Sequence, residues 1–358
     1  MAKDEPTFEQ VRVRPDYKVK VGGSNLPPEA AVDVLDVTVT NYAVGASSFC
    51  VNMNNWHSDE QRFKYSDGPL IKEGVKLEVT LGFDGLVVSL IKGEVTALEP
   101  EFNQDEAPTL KVQGYDLLHR FRRGRKTKSY LQQKDSDIAS QIASALGLSA
   151  DVEDTQVTHE YLLQDNMTDI DFLLERATRI RYELLIEDGT LRFRKAANDK
   201  NKTVSLEYRR TLRSFYPRLS TASQVSEVLV QGWDVKAKKA ITGRAQSGDA
   251  VSKMGGQQLG ASITEGAFFA AKNVVTDKPV FSEGEANQIA KGMFNDMAVE
   301  FITGEGTAVG NKDIKAGAVV ELKKLGQRFS GLYYVTSATH TIDTTGYYTK
   351  FTVERNAT

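Results

Sequence analysis

A chain of 358 residues with 45 Lys and Arg against 48 Asp and Glu carries a formal charge of -3, so bulk electrostatics favour neither a nucleic-acid nor a membrane partner. Its length exceeds the ~100–200 residues usual for one domain and predicts two or three, each with a core of its own. The single cysteine, Cys50, excludes an internal disulfide, the start MAKDEPTFEQ lacks the apolar run of an export signal, and no stretch of about 18 apolar residues is present, so the expectation is cytoplasmic synthesis with no membrane anchor.

From Val11 to about Gly114 apolar residues alternate with polar ones: Val11/Val13, Tyr17/Val19/Val21, Val37/Val39, Leu77/Val79/Leu81 and Leu110/Val112. This period of two, punctuated by Gly22-Gly23, Asp67-Gly68 and Asp84-Gly85, predicts an all-β domain over residues 1–115. The phase changes across Val34, Leu35 and Val37, which predicts a bulge or bend there.

Residues 116–215 read as a small α+β insert. Ser136 is placed to cap a helix carrying Ile138, Ile142 and Leu146, with Gly147 as its stop. Thr168 and Asp171 have capping-box spacing ahead of the stripe Ile170, Leu173, Leu174, Ala177 and Ile180. Asp188-Gly189, between two apolar runs, is the strongest hairpin signal in the chain.

Strand patterns return over residues 216–358, at Val225/Val228/Val230, Val319/Leu322, Tyr333/Val335 and Tyr348/Phe351/Val353. One helix interrupts them at about residues 282–299, where Ser282 and Glu285 form a box and Ala286, Ile289, Ala290, Met293, Phe294 and Met297 share a face that suits packing on a sheet or barrel end. The stretch from about Ala245 to Lys278, rich in Gly, Ala and Ser and carrying Phe268-Phe269, reads as a long irregular segment of the kind usually functional or ordered by a partner.

The first and last β regions share a faint repeat. Ile71-Lys72-Glu73-Gly74 matches Ile314-Lys315-Ala316-Gly317, Val95-Thr96-Ala97 can be set against Val335-Thr336-Ser337, and Thr109–Val112 against Thr349–Val353. Chance and duplication account for this equally well, since strand-turn-strand pieces look alike.

Catalytic signals are weak. His57, His119, His159 and His340 have no metal-binding spacing, no Gly-x-Ser-x-Gly elbow occurs, and Cys50 has no partner motif. Gly304-Glu305-Gly306-Thr307-Ala308-Val309-Gly310 lacks the Gly-Lys-Ser/Thr ending of a phosphate loop and reads as a turn or loop. The sharpest local feature is the basic run His119–Lys128, with Phe121 and Tyr130 as apolar or stacking groups; its plain reading is a solvated or interface-facing loop, and nucleic-acid binding is the residual one.

The order of the parts resembles the phage late control protein D family, which is also the hub portion of VgrG-type spike proteins and contractile injection systems. The stretches that carry the resemblance are Val112–Leu118 entering the basic run, Ser136-Asp137-Ile138-Ala139, Asn166–Leu173, and the Glu187–Leu191 hairpin. It implies a mainly β chain with two tail-tube-like β-barrel domains joined by a small helical and hairpin insert. It further implies a non-enzymatic homotrimer, without cofactor or metal, whose six quasi-equivalent barrels match a hexameric inner tube on one face and a trimeric spike on the other. Within such a hub, Arg120, Arg122, Arg123, Arg125 and Lys126, with Phe268 and Phe269, are the candidate interface toward other baseplate subunits. Fused spike proteins continue into an OB-fold and a needle, whereas this sequence reaches only Thr358, so a separate spike protein is expected. The rival reading is a tail-associated cell-wall hydrolase.

Overall fold

Most of the alternating segments are strands in the computed structural model, which describes residues 14–196 and 198–358; Val11 and Val13 lie outside them. The first region runs β1 (Pro15–Val21), β2 (Ser24–Asn25), α1 (Pro28–Val32), β3 (Val34–Tyr42), β4 (Ser48–Asn54), β5 (Trp56–His57), β6 (Arg62–Phe63), β7 (Lys76–Phe83), β8 (Leu86–Glu101) and β9 (Thr109–Asp116). Antiparallel pairing follows the order β2-β1-β7-β8-β9-β4-β3. Alternate residues face one core, among them Val37, Val39, Phe49, Val51, Val79, Leu81, Leu110 and Val112, as a half-buried sheet requires. The expected irregularity in β3 is a register shift between Val34 and Asp36. No ladder joins β1 to β3 among the described residues; α1 connects their ends, with Ala30 in the core and the Ala31 carbonyl accepting the Tyr17 hydroxyl at 3.1 Å.

A 3-10 turn (Leu117–Arg122) opens the insert, followed by β10 (Lys126–Lys134), α2 (Asp135–Ala145), β11 (Ser149–Val152), β12 (Thr158–Met167), α3 (Asp169–Arg179), β13 (Tyr182–Glu187) and β14 (Thr190–Lys195). Two small sheets, β10-β12 and β11-β14-β13, enclose a separate core of Leu118, Phe121, Ile138, Ile170, Leu173 and Phe193. Thr168 caps α3 by accepting the Asp171 amide at 3.2 Å. Asp188 and Gly189 take φ of 50° and 80°, the paired positive values of a two-residue hairpin. Ser136 does not cap α2. The helix begins one residue earlier, after Lys134, and the Ser136 hydroxyl accepts the Thr155 amide at 3.4 Å.

The remaining elements are β15 (Lys202–Glu207), β16 (Leu212–Leu219), β17 (Glu227–Asp234), β18 (Lys239–Gln246), α4 (Gly260–Ala267), β19 (Lys272–Val275), α5 (Glu283–Val299), β20 (Ile302–Val309), β21 (Val319–Lys323), α6 (Gly326–Phe329), β22 (Gly331–Asp343) and β23 (Gly346–Arg355). Six of them pair in the order β16-β20-β23-β22-β21-β15, and a bridge between Tyr208 and Leu212 returns β15 to β16. This ring closes on Leu206, Leu212, Ile302, Val320, Tyr333 and Phe351. Its first two strands, β15 and β16, begin before residue 216 and pair with β21 and β20 rather than with the insert's sheets. Between β16 and β20 lies a satellite sheet, β18-β17-β19, on which α5 buries Ala286, Ile289, Ala290 and Phe294.

Two loop readings are corrected by this arrangement. Gly304–Val309 is not a turn but most of β20; a side chain at Gly304 or Gly306 would meet the rings of Phe215 and Phe351, so these glycines make room for neighbouring aromatics. Residues 245–278 are not irregular throughout, since they hold a 3-10 turn (Ser247–Asp249), α4 and β19.

The faint repeat is a repeat of structure. Gly74 and Gly317 both have φ of 77°. Their amides donate to the carbonyls of Val95 and Val335 at 2.7 and 2.8 Å, and Val95 and Val335 donate back to Val75 and Ala318 at 3.0 and 2.9 Å. Immediately afterwards β8 bulges between Val95 and Ala97, and β22 between Val335 and Ser337. The third segment needs a shift of register: Val112 lies opposite Leu98 and Phe351 opposite Ala338, so Val112 corresponds to Phe351. Pairing across the bulge sets that correspondence, and the repeated Thr and Val letters do not.

Candidate assembly interface

The two duplicated regions share one sheet. Four strands of the first and four of the last form a continuous arc, β8-β9-β4-β3-β22-β23-β20-β16. The junction is antiparallel, with Val37–Tyr42 of β3 against Ile342–Ser337 of β22. Alternation explains why it holds. Val37 and Val39 point into the first core, while Thr38 and Thr40 point to the other face and meet Thr341 and Thr339 at 3.3 and 3.1 Å, the cross-strand hydroxyl pairs that stabilise a sheet surface.

That outer face is polar along the arc. Glu99 accepts from Gln113 at 2.8 Å across β8 and β9, and Ser337 pairs with Thr352 at 2.7 Å across β22 and β23. A shallow depression lined by Tyr216, Glu305, Thr307, Thr339, Lys350 and Thr352 lies on the same face. Just inside the seam, His340 is buried, with ring nitrogens 2.9 Å from the Tyr347 hydroxyl and 3.1 Å from the Ile314 carbonyl. Burial pushes this imidazole down to about 4, so it is neutral at neutral pH.

Ion pairs tie the insert to the last region, and a buried one ties the insert to itself. Arg181 reaches both Asp296 of α5 and Glu354 of β23, the latter at 2.9 Å. Arg176 holds Asp135 at 2.6 Å, His159 lies 3.3 Å from the same carboxylate, and Arg179 lies 3.3 Å from Glu285 of α5. Burial alone would raise the Asp135 carboxyl, but the His159 hydrogen bond and the Arg176 charge hold it below the usual range.

The interface residues expected from the basic run separate into two kinds. His119 and Arg120 turn inward to Glu94, a buried carboxylate beside the β8 bulge, each at 2.9 Å. Arg125 donates to the Asn166 carbonyl at 2.8 Å and Lys126 to Asp169 at 2.6 Å. Arg122 and Arg123 are exposed. Phe121 is a core residue of the insert and Tyr130 stacks on Phe172, so neither offers a free ring. Phe268 and Phe269 stand at the end of α4, 67% and 75% exposed. The threonine seam was missed in the sequence; its trace there is the alternation Val37-Thr38-Val39-Thr40 and Thr339-His340-Thr341-Ile342, two polar-edged strands with nothing local to say that they pair.

Among the described residues no three His, Cys, Asp or Glu side chains converge as a metal site, and no helix is long and apolar enough to cross a membrane. A family model described as Alg8 N-terminal domain matches residues 13–344. No curated protein matches. Among solved structures, a 43 kDa tail protein of prophage MuSo2 from Shewanella oneidensis aligns with a TM-score of 0.70 at 15% identity, covering 95% of this chain and 98% of that one. A tail protein from Neisseria meningitidis MC58 aligns at 0.67 and 14% identity, covering 96% and 97%. An E. coli protein described as a component of the type VI secretion system, similar to the T4 bacteriophage tail proteins gp27 and gp5, aligns at 0.61 and 10%, covering 95% and 77%. At these identities the shared property is the fold, a mainly β architecture common to phage tail proteins.

Proposed function

The chain belongs to the Alg8 N-terminal domain family, and from that footing we propose that it is a structural hub of a contractile, phage-tail-like machine, a trimeric adaptor between a hexameric inner tube and a threefold spike. One observation carries the proposal: two duplicated strand sets are joined edge to edge in one sheet. A chain that presents the same unit twice lets three copies offer six similar units to a sixfold ring, while the insert and the satellite sheet, present once per chain, keep threefold spacing.

On this reading the domains are a first barrel to residue 116, an insert from 117 to about 200, and a second barrel from 202 onward, with β15 and β16 moved out of the insert. The polar face of the arc lines the channel. Arg122 and Arg123, with Phe268 and Phe269, meet neighbouring baseplate subunits, where guanidinium groups pair with carboxylates and exposed rings fill pockets. The protein acts by interface complementarity in an assembled particle and turns over no substrate.

The test is mass by light scattering on the purified protein, alone and with tube protein, alongside peptidoglycan release. A trimer without release is the expected result. A monomer that degrades cell wall would overturn the proposal in favour of a tail-associated hydrolase.

A further inference from the structure

The two duplicated units differ sharply on one patch of outer wall. Leu77 and Val79 of β7 point into the first core, so Lys76 and Glu78 point outward, Lys76 opposite Glu94 and Glu78 opposite Lys92 of β8. Their counterparts in the second unit are Val319 opposite Tyr334 and Glu321 opposite Leu332. There the chain covers itself: Met254, 1% exposed, packs on Val319 and Tyr334 with Leu332 beside it. In the first unit the same place holds Lys76, Lys92 and Glu94. Both lysines are exposed, and Glu94 is covered by His119 and Arg120 of the 3-10 turn, each at 2.9 Å.

Each carboxylate of this patch lies between cations. Lys20 of β1 reaches Glu78 at 3.0 Å while Lys92 stands opposite it on β8. Lys76 stands opposite Glu94 on one side, and His119 and Arg120 hold it from the other. Burial alone would raise both carboxyls, but hydrogen bonds from Lys20 and Arg120 hold them below the usual range, so both are ionised and already paired. The surplus is positive. Lys18 lies two residues before Lys20, and Arg122 and Arg123 end the turn, all three exposed. Asp16 and Glu73 stand at the margin, and Asp188 shares a cleft with Lys92. The basic run is thus one end of a larger tract whose other half is made of strand lysines that the sequence scatters.

We propose that this tract docks an acidic segment of a partner protein, lying across β7 and β8 as the chain around Met254 lies across β21 and β22, with a carboxylate in the place of the Met254 side chain between Lys76 and Lys92. The proposal rests on the hub reading and names one contact of it. Charge selects the occupant. Guanidinium groups such as those of Arg122 and Arg123 pair with carboxylates through two hydrogen bonds. Single-stranded nucleic acid needs rings on which bases stack, and the rings beside these cations are taken, Phe121 in the core and Tyr130 against Phe172. Because the counterpart patch is covered by the chain itself, the site occurs once per chain, and in a trimer its partner follows threefold symmetry.

The test titrates the full-length protein with a labelled peptide of alternating Glu and Ser, and separately with a short DNA duplex, at physiological salt. Lys76→Glu with Lys92→Glu is expected to weaken peptide binding ~10-fold, whereas the same charge change on the second unit, Lys323→Glu with Lys324→Glu, changes it less than ~2-fold. No binding, or equal losses from the two pairs, would overturn the site. Duplex binding tighter than that of the peptide, lost in Lys76→Glu with Lys92→Glu, would make it a nucleic-acid surface instead. A chain beginning at Arg14 that binds the peptide ~10-fold tighter than the full-length chain would replace the partner by residues 1–13, which carry Asp4, Glu5 and Glu9. In each of these cases a trimer by light scattering leaves the hub reading standing. A protein that stays monomeric alone and with tube protein overturns both.

Discussion

The two halves of the arc follow one strand plan and fill it differently. In the first, the ring of Phe49 on β4 lies over Gly114 of β9, and the neighbouring pair is Val51 with Val112. In the second, the corresponding pairs are Gly304 with Val353 and Gly306 with Phe351, so the large ring has moved to the other strand and one pair along. Cores tolerate such exchange when summed volume is kept, and what the halves conserve is the turn at Gly74 and Gly317 and the bulge that follows. The path of the backbone outlasted the side chains that fill it. The edges diverged further: β1 runs antiparallel to β7, whereas β15 runs parallel to β21.

The strongest way to break the comparison is to rewrite the second core as the first. Gly306→Val places a side chain against Phe351, and Phe351→Val leaves a void; each alone is expected to cost about 3 kcal/mol. Together they recreate a Val51–Val112 pair, and the double variant should be at least ~1.5 kcal/mol more stable than the sum of the singles. Denaturant titration measures all three, and additivity within ~0.5 kcal/mol would mean that the two pairs are not equivalent.

Next in size is the pH effect of one residue whose counterpart cannot titrate. His340 corresponds to Pro100, which does not titrate. Because burial lowers its pKa to about 4 from an ordinary 6.5, the unfolded chain binds the proton first as pH falls. The stabilisation is present above pH 6.5 and is lost on acidification toward pH 4, by roughly 2 kcal/mol between pH 7 and pH 5. In His340→Gln that part of the slope should disappear; an unchanged slope would place the titration elsewhere.

Smaller effects sharpen the likeness. Gly74→Ala and Gly317→Ala each force a side chain into a left-handed conformation and should each cost about 1–2 kcal/mol, Gly317→Ala somewhat more because its Cβ also crowds Glu183 and Arg194. A silent substitution at either site would show that its turn tolerates a different backbone. The smallest change is expected from Arg122→Gln with Arg123→Gln, under ~0.5 kcal/mol in the isolated protein, since neither side chain is buried.

Much of the local structure was legible because its causes are local. The Ser282 and Thr168 caps, the Asp188-Gly189 hairpin, the α5 face and the bulge in β3 each lie within a few residues of the signal that predicts them. Ser136 misled because Asp135, one residue earlier, is already helical and held by Arg176. Gly304 and Gly306 read as a loop because the aromatics that require them, Phe215 and Phe351, are distant in sequence. The β3–β22 seam was out of reach for the same reason, its hydroxyl pairs joining residues 299 and 303 positions apart.

That separation has a consequence in time. A ribosome adding ~5–20 residues per second needs roughly 15 to 60 seconds to travel from Thr38 to Thr341. Throughout that interval β3, a Val-Thr-Val-Thr strand of high β-propensity, waits on the nascent chain with one edge bare. Unlike β16, it has no proline to guard that edge. Conditions that slow elongation lengthen the wait, and the seam is therefore where misassembly during synthesis should begin.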